Sequence, residues 1–397
     1  MQYHFSDRVL ALKPSAIREI LKVTQDPSVI SFAAGNPAPE TFPAEEMAEI
    51  AQRLFREDAV SALQYGVTEG YQELRDLTAA RLKEKYQIGS ENDDILITSG
   101  GQQAIDLVGK VFLNEGDVLI CEDPSFIGAL NAFRSYNAKL IGCPTDEYGM
   151  RMDALEELLK TTPRVKIIYT IPTFQNPTGK TLPLERREQM LELAEKYDVI
   201  ILEDNPYFEL RYSGEPVAAI KSLDTKGRVV YSGSYSKVLC PGIRMGYAVA
   251  PKEILSKMIV CKQTNDVHSN LFFQILVAEY LKNYDLDAHI AKNNRLYTHK
   301  RDVMLDAIER YVDKRVTITH PDGGLFLWLA LPEGYDGFEL CHRTSEKKVA
   351  AVPGVSFAAD TSIVSPGIRL NFSLPTDEQI ETGIEILGKT IAEYLGE

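Results

Sequence analysis

Six short, almost wholly apolar runs recur through the first two thirds of the chain: Asp94–Thr98, Asp117–Cys121, Val165–Tyr169, Val199–Leu202, Arg228–Tyr231 and Met245–Val249. None alternates with polar residues, which predicts strands buried on both faces, as in a mostly parallel sheet. Helix-like stretches lie between several of them, Gln102–Phe112, Phe126–Tyr136 and Leu184–Tyr197; in the last, Met190, Leu193 and Ala194 fall at i, i+3 and i+4. This alternation predicts an α/β fold with a mainly parallel central sheet flanked by helices. Tyr231 and Met245 are separated only by a short loop of Gly, Ser and Pro, so that one pair is expected to run antiparallel.

Beyond about residue 270 the pattern changes. Helix-like segments cover Leu271–Leu281 and His289–Val312, with Met304, Ile308 and Val312 every fourth residue. Strand-like pieces follow at Gly324–Leu329 and Gly367–Phe372, then a closing helix from Thr376. The reading is a large α/β domain over residues 46–285 and a smaller α+β domain formed by 286–397 with the N-terminal segment 1–45. Within that segment Ile17, Ile20 and Leu21 share one face of a short helical pattern. Without internal repeats or low-complexity linkers, the domains are expected to pack together.

Composition narrows the function classes. Of 397 residues 44% are hydrophobic, and 43 Lys+Arg against 57 Asp+Glu give a formal charge of −14. With no basic cluster, nucleic acid is not an expected partner. Apolar runs such as Val199–Leu202 fall far short of the ~18 residues that span a bilayer, so no membrane is expected either. The first residues lack the basic and apolar regions of a signal peptide, which places the protein in the cytoplasm. Five cysteines without a Cys-x-x-Cys pair and six scattered histidines without His-Glu-x-x-His predict neither a disulfide framework nor a metal site.

Four segments carry chemistry. Thr98-Ser99-Gly100-Gly101-Gln102-Gln103 follows a strand and opens a helix, where free N–H groups and the helix dipole favour an anion; alone, the glycine pair needs only to make the turn. Ser232-Gly233-Ser234-Tyr235-Ser236-Lys237, with Arg244 seven residues on, sets hydroxyls and a guanidinium suited to phosphate around a lysine able to form a Schiff base. An arbitrary lysine is solvated; this one follows a buried strand. Asn176-Pro177-Thr178-Gly179 and Glu203-Asp204-Asn205-Pro206-Tyr207 also follow strands, where open α/β sheets present ligand groups. Taken singly, each reads equally well as a turn.

In this order the four segments resemble the pyridoxal-phosphate-dependent aminotransferases of fold type I, classes I and II. The resemblance runs from Ser31-Phe32-Ala33-Ala34-Gly35-Asn36-Pro37 to Arg369. Ile17-Arg18-Glu19-Ile20-Leu21 and the Gly-Asn-Pro stretch ending at Pro43 look like the aminoadipate/kynurenine group. The resemblance implies that Lys237 holds the cofactor covalently and shuttles a proton between the substrate α-carbon and cofactor C4′. Asp204 would keep the pyridine nitrogen protonated, making the ring an electron sink. Tyr207 and Asn176 would bond its phenolic oxygen. Phe126 would stack on the ring, where many relatives have tyrosine. Phosphate would be held by Gly100, Gly101, Gln102, Ser234, Ser236 and Arg244, and by Tyr65 from the neighbouring subunit of a homodimer. Arg369 would clamp the substrate α-carboxylate through a two-bond fork, with Gly35 and Asn36 on the substrate side and Arg18 meeting the distal carboxylate of a dicarboxylic substrate.

The expected function is transamination by a ping-pong cycle: an amino acid converts pyridoxal phosphate to pyridoxamine phosphate and a 2-oxo acid converts it back, with glutamate/2-oxoglutarate as one pair. The same scaffold also hosts β-eliminating lyases. A ligand-sensing domain like that of certain bacterial transcription regulators would call for an N-terminal winged helix, and the aminotransferase pattern begins almost at Met1.

Overall fold

The computed structural model describes residues 3–10 and 26–396. In the first long stretch the elements that build and flank the sheet include β1 (Asp93–Thr98), α1 (Gly101–Phe112), β2 (Val118–Asp123), α2 (Ile127–Arg134), β3 (Lys139–Asp146), β4 (Gly149–Met150), β5 (Val165–Thr170), α3 (Leu184–Lys196), β6 (Ile200–Asp204), β7 (Val229–Ser234) and β8 (Gly246–Pro251). The strands form one eight-stranded sheet in the order β1-β8-β7-β6-β5-β2-β3-β4. Pairs β3/β2, β2/β5, β5/β6 and β6/β7 are parallel. The all-apolar runs have the cause inferred for them: successive side chains enter different cores. Ile167, Tyr169 and Leu202 join one hydrophobic cluster, whereas Ile168 and Ile201 join the other, as the two-residue period of a strand covered by helices requires.

The antiparallel pair is β7/β8. The reversal goes further than expected, because β8 is also antiparallel to β1. Strand β3 gave no apolar run: Lys139 and Pro144 are exposed and most of its other residues half-buried, so its pattern is mixed.

The second stretch contains α4 (Leu271–Asn283), α5 (Leu286–Tyr311), β9 (Thr317–Ile318), β10 (Phe326–Ala330), β11 (Val352–Pro353), β12 (Gly367–Asn371) and α6 (Asp377–Gly396). Its sheet runs β9-β10-β12-β11, antiparallel throughout. Helix α5 starts at Leu286 rather than His289 because the Asp285 carboxylate accepts the Ala288 N–H, an N-cap four residues upstream of His289. Ile30–Ser31 pairs with Val349–Ala350, and Asn371 N–H donates to Phe32 O. The segment carrying Gly35 is thereby laid along this second sheet. Gly324 N–H to Leu210 O and Ser125 N–H to Phe357 O join the two sheets' surroundings. Among the described residues no helix is long and apolar enough to cross a membrane.

Candidate active site

Parallel strands deliver their C-terminal ends to one edge of the sheet, and loops leaving that edge converge. Here they enclose a cavity of about 350 Å³. Strand β7 leads into Ser234, Ser236 and Lys237; β6 ends on Asp204 and leads into Tyr207; the turn after β5 brings Asn176. Gly101 and Gln102 open α1 after β1, Phe126 follows β2, Arg244 precedes β8, and Gly35 and Arg369 come from the second sheet's side.

Two close approaches shape the phosphate-sized end. Gly100 has φ +76°, and a Cβ there would lie 2.4 Å from the Arg244 guanidinium. A Cβ on Gly246 would lie 2.7 Å from the Gly100 carbonyl carbon and 2.8 Å from the Gly101 nitrogen, so only glycine lets β8 run against the start of α1. The first-turn N–H groups of α1, Ser234, Ser236 and Arg244 then border one corner of the cavity, which suits an anion.

The Lys237 amine donates to Gly35 O at 2.8 Å and lies 5.8 Å from the Tyr207 ring centroid. Burial, followed by the positive charges of Arg369 and Arg244, pushes it down to about 8, which raises its neutral, nucleophilic fraction near neutral pH. Asp204 is buried, and burial pushes its carboxyl up to about 6 against the hydrogen bond its Oδ2 accepts from the Tyr169 hydroxyl at 2.9 Å. Asn176 Nδ2 donates to the Tyr207 hydroxyl at 3.5 Å, while its Oδ1 accepts from Arg369 Nη1 at 2.9 Å. Arg369 is buried between Phe326 and Phe357, with ring centroids 4.3 and 4.9 Å from its guanidinium carbon. Its Nη2 donates to Ala33 O at 2.6 Å, and its Nε is buried without a hydrogen-bond partner. A buried N–H with nothing to bond calls for a ligand acceptor. Burial lowers the guanidinium to about 10, still cationic at neutral pH.

An anion cup at a helix start, a depressed lysine amine, a buried carboxylate and an aromatic wall at Phe126 suit a small planar ring bearing a phosphate, a carbonyl and a basic nitrogen. The residues fit pyridoxal phosphate. When bound it would supply the electron sink that no side chain offers. Among the described residues no group of three His, Cys, Asp or Glu could hold a metal ion.

Gly100 meets the cavity only through Arg244. Asn36 is exposed, with its carbonyl accepting from Ser373 Oγ. Tyr65 is 82% exposed and packs edge-on against His268 at 5.7 Å. Arg18 lies outside the described residues. Tyr169, Ile171 and Phe326 were not singled out from the sequence. Tyr169 reads there as one more apolar strand position, and Phe326 joins the site from 122 residues beyond Asp204 in a segment without polar signals.

The class I and II aminotransferase family matches residues 27–387. The chain is 45% identical to aromatic-amino-acid aminotransferase 1 of Thermococcus litoralis, over 99% of this chain and 95% of that one. It is 42% identical to 2-aminoadipate transaminase of Thermus thermophilus, over 97% and 95%. The structure of Pyrococcus horikoshii kynurenine aminotransferase with PMP superposes with a TM-score of 0.95 at 43% identity, covering 98% and 97%. With the fold, the cavity and these relatives in agreement, the chain belongs to the class I and II aminotransferases: it is a fold type I, pyridoxal-phosphate-dependent aminotransferase similar to the aminoadipate/kynurenine group.

Proposed function

We propose that this transaminase uses Lys237 as cofactor anchor and proton carrier, Asp204 as partner of the ring nitrogen, Tyr207 and Asn176 as partners of the phenolic oxygen, and Arg369 as the α-carboxylate clamp, with glutamate/2-oxoglutarate as one substrate pair. The observation that carries this reading is the opening of the Lys237 amine, the Asp204 carboxylate and the Arg369 guanidinium onto one cavity. Gly101, Gln102, Ser234, Ser236 and Arg244 hold the phosphate and Phe126 stacks on the ring. Residues 46–285 act as the cofactor domain, and 286–397 with 1–45 as the domain that brings Arg369 and Gly35 to the substrate.

The dicarboxylic pair is supported by the similarity to a 2-aminoadipate transaminase. Arg18 meets the distal carboxylate. Losing the cationic member of such a desolvated pair costs ~2–5 kcal/mol, on the order of 10²–10³ in relative rate. Arg18→Ala should therefore depress kcat/KM for 2-oxoglutarate far more than for pyruvate. Equal losses would remove the charge-reading role, and the parent's failure to use 2-oxoglutarate would remove the pair. Release of ammonia and pyruvate in place of net amino transfer would identify a β-eliminating lyase.

The active unit is a homodimer in which Tyr65, exposed on this subunit, reaches the neighbouring phosphate. Mixing Tyr65→Phe and Lys237→Ala proteins tests this: hybrid dimers regain one site free of both changes. Exchange of subunits without recovery would count against a shared site.

A further inference from the structure

Tyr169 and Asp204 sit on adjacent parallel strands. Register pairs Tyr169 with Leu202, so Tyr169 and Leu202 share one face of the sheet and Asp204, two residues on, lies on that same face one pleat further along. Such a diagonal is too long for a small side chain and within reach of an aromatic one. The phenol spans it: its hydroxyl donates to Asp204 Oδ2 at 2.9 Å. Tyr169 is 0% exposed and held edge-on by Phe133, centroids 5.7 Å apart. The other oxygen, Oδ1, comes within 3.9 Å of the point where a Cβ on Gly101 would stand, on the cavity side.

We propose that Tyr169 is a positioning residue for transamination: by occupying Oδ2 it fixes the rotation of the Asp204 carboxyl, directs Oδ1 at the cofactor's ring nitrogen and keeps the group an anion. This rests on the role given to Asp204 above. With the Tyr169 donor gone, Ser232 is the remaining hydroxyl that lowers the Asp204 carboxyl, and burial, the largest influence on it, would draw the group toward the neutral form, which cannot stabilise a pyridinium. Burial and the adjacent Asp204 charge hold the phenol well above its ordinary range, so it stays a donor at working pH. The titratable groups around the pair are Tyr207 past the end of β6, Glu122 on β2 and Lys237 across the cavity. Strand β7 and helix α1 present Ser232 and Gly101, which do not titrate.

Tyr169→Phe removes the hydroxyl and keeps the ring. The apoprotein's dissociation constant for pyridoxal phosphate should rise about tenfold. In the holoenzyme the single-turnover rate with an amino acid should fall about ten- to a hundredfold, the range for a lost hydrogen bond to a charged group, at unchanged half-saturation. The acid limb of its pH profile should move to higher pH. Combined with Asp204→Asn it should add nothing, since both act through one carboxylate. Multiplying losses, or a lowered melting temperature with affinity and pH limb unmoved, would reduce Tyr169 to packing. Should the variant not fold, 3-fluorotyrosine at position 169 is a stronger donor and should move the acid limb to lower pH; an unmoved limb overturns the proposal. If Asp204→Asn itself leaves cofactor affinity and rate intact, it is the role of Asp204 that falls. If only Tyr169→Phe is silent, the positioning role alone is lost.

Discussion

Two lysines, Lys221 buried and Lys237 half-buried, mark opposite ends of the large sheet, and their surroundings could hardly differ more. Lys221 sits by the strands' N-terminal ends, its amine 2.8 Å from Asp93 at the start of β1 and 3.1 Å from Asp224 just before β7. Asp224 also accepts the Arg228 and Val229 N–H groups. One amine bridges two carboxylates there, and the cluster ties two strand entrances together. Lys237 lies at the C-terminal end, about 20 Å away along a six-residue strand. No carboxylate pairs with it among the described residues. It has one carbonyl oxygen, and its charged neighbours are arginines. A buried lysine held by carboxylates is a structural cation; one facing a carbonyl and two guanidiniums is poised to lose its proton and act as a nucleophile.

The sharpest break in this contrast comes from removing each amine. Lys237→Ala should leave a folded protein that binds pyridoxal phosphate without a covalent bond and loses at least about a thousandfold in transamination. Borohydride treatment of the parent should fix cofactor mass to the Lys237 peptide, and a label on any other lysine, Lys221 included, would overturn the assignment. Lys221→Ala should do the reverse. Leaving two buried carboxylates without their cation costs about 3–5 kcal/mol of stability, read as a lower denaturant midpoint, while turnover per bound cofactor in the folded fraction stays near the parent's. Loss of turnover in a stable protein would erase the distinction between the two ends.

The smallest and most diagnostic effect is on pH. With its amine at about 8, roughly a quarter of Lys237 is neutral at pH 7.5, against about a thousandth of an ordinary lysine. Deprotonation supplies the nucleophile, so capture of pyridoxal phosphate by the apoprotein should quicken with rising pH and level off above about 8. A rate still climbing at pH 10 would show an amine no different from a solvated one.

How much of this was legible beforehand follows from the kind of signal each residue leaves. Lys237, Asp204 and Asn176 were readable because polar groups after apolar runs stand out, Arg244 because it lies seven residues beyond Lys237, and the runs gave the sheet. Strand β3 was not, because its partly exposed flank breaks the apolar pattern. The double reversal of β8 was half legible: a short loop reveals its partner β7, but nothing local reveals β1, some 150 residues earlier. Tyr169 was invisible for a different reason. Its role depends on which strand lies beside β5 and in what register, and neither is written in the six residues of β5 itself. Arg369 was legible as an arginine among apolar residues, but not the pair of aromatic faces that sandwich it.

The placement of Gly246 against Gly100 and Gly101 bears on the order in which the molecule comes together. Strand β8 is the last of its sheet to leave the ribosome, yet its seat is the second from the edge, between β1 and β7. Until it is inserted, β1 and the start of α1 have no neighbour on that side, and Arg244, one residue before Met245, has nowhere to deliver its guanidinium. The anion-suited corner of the cavity is thus completed by the same event that closes the sheet. With Arg244 and the start of α1 holding the phosphate as proposed, cofactor affinity would report on finished assembly: a chain that binds pyridoxal phosphate would already have placed its final strand, and one that has not would lack the ligand that stabilises the folded state by mass action.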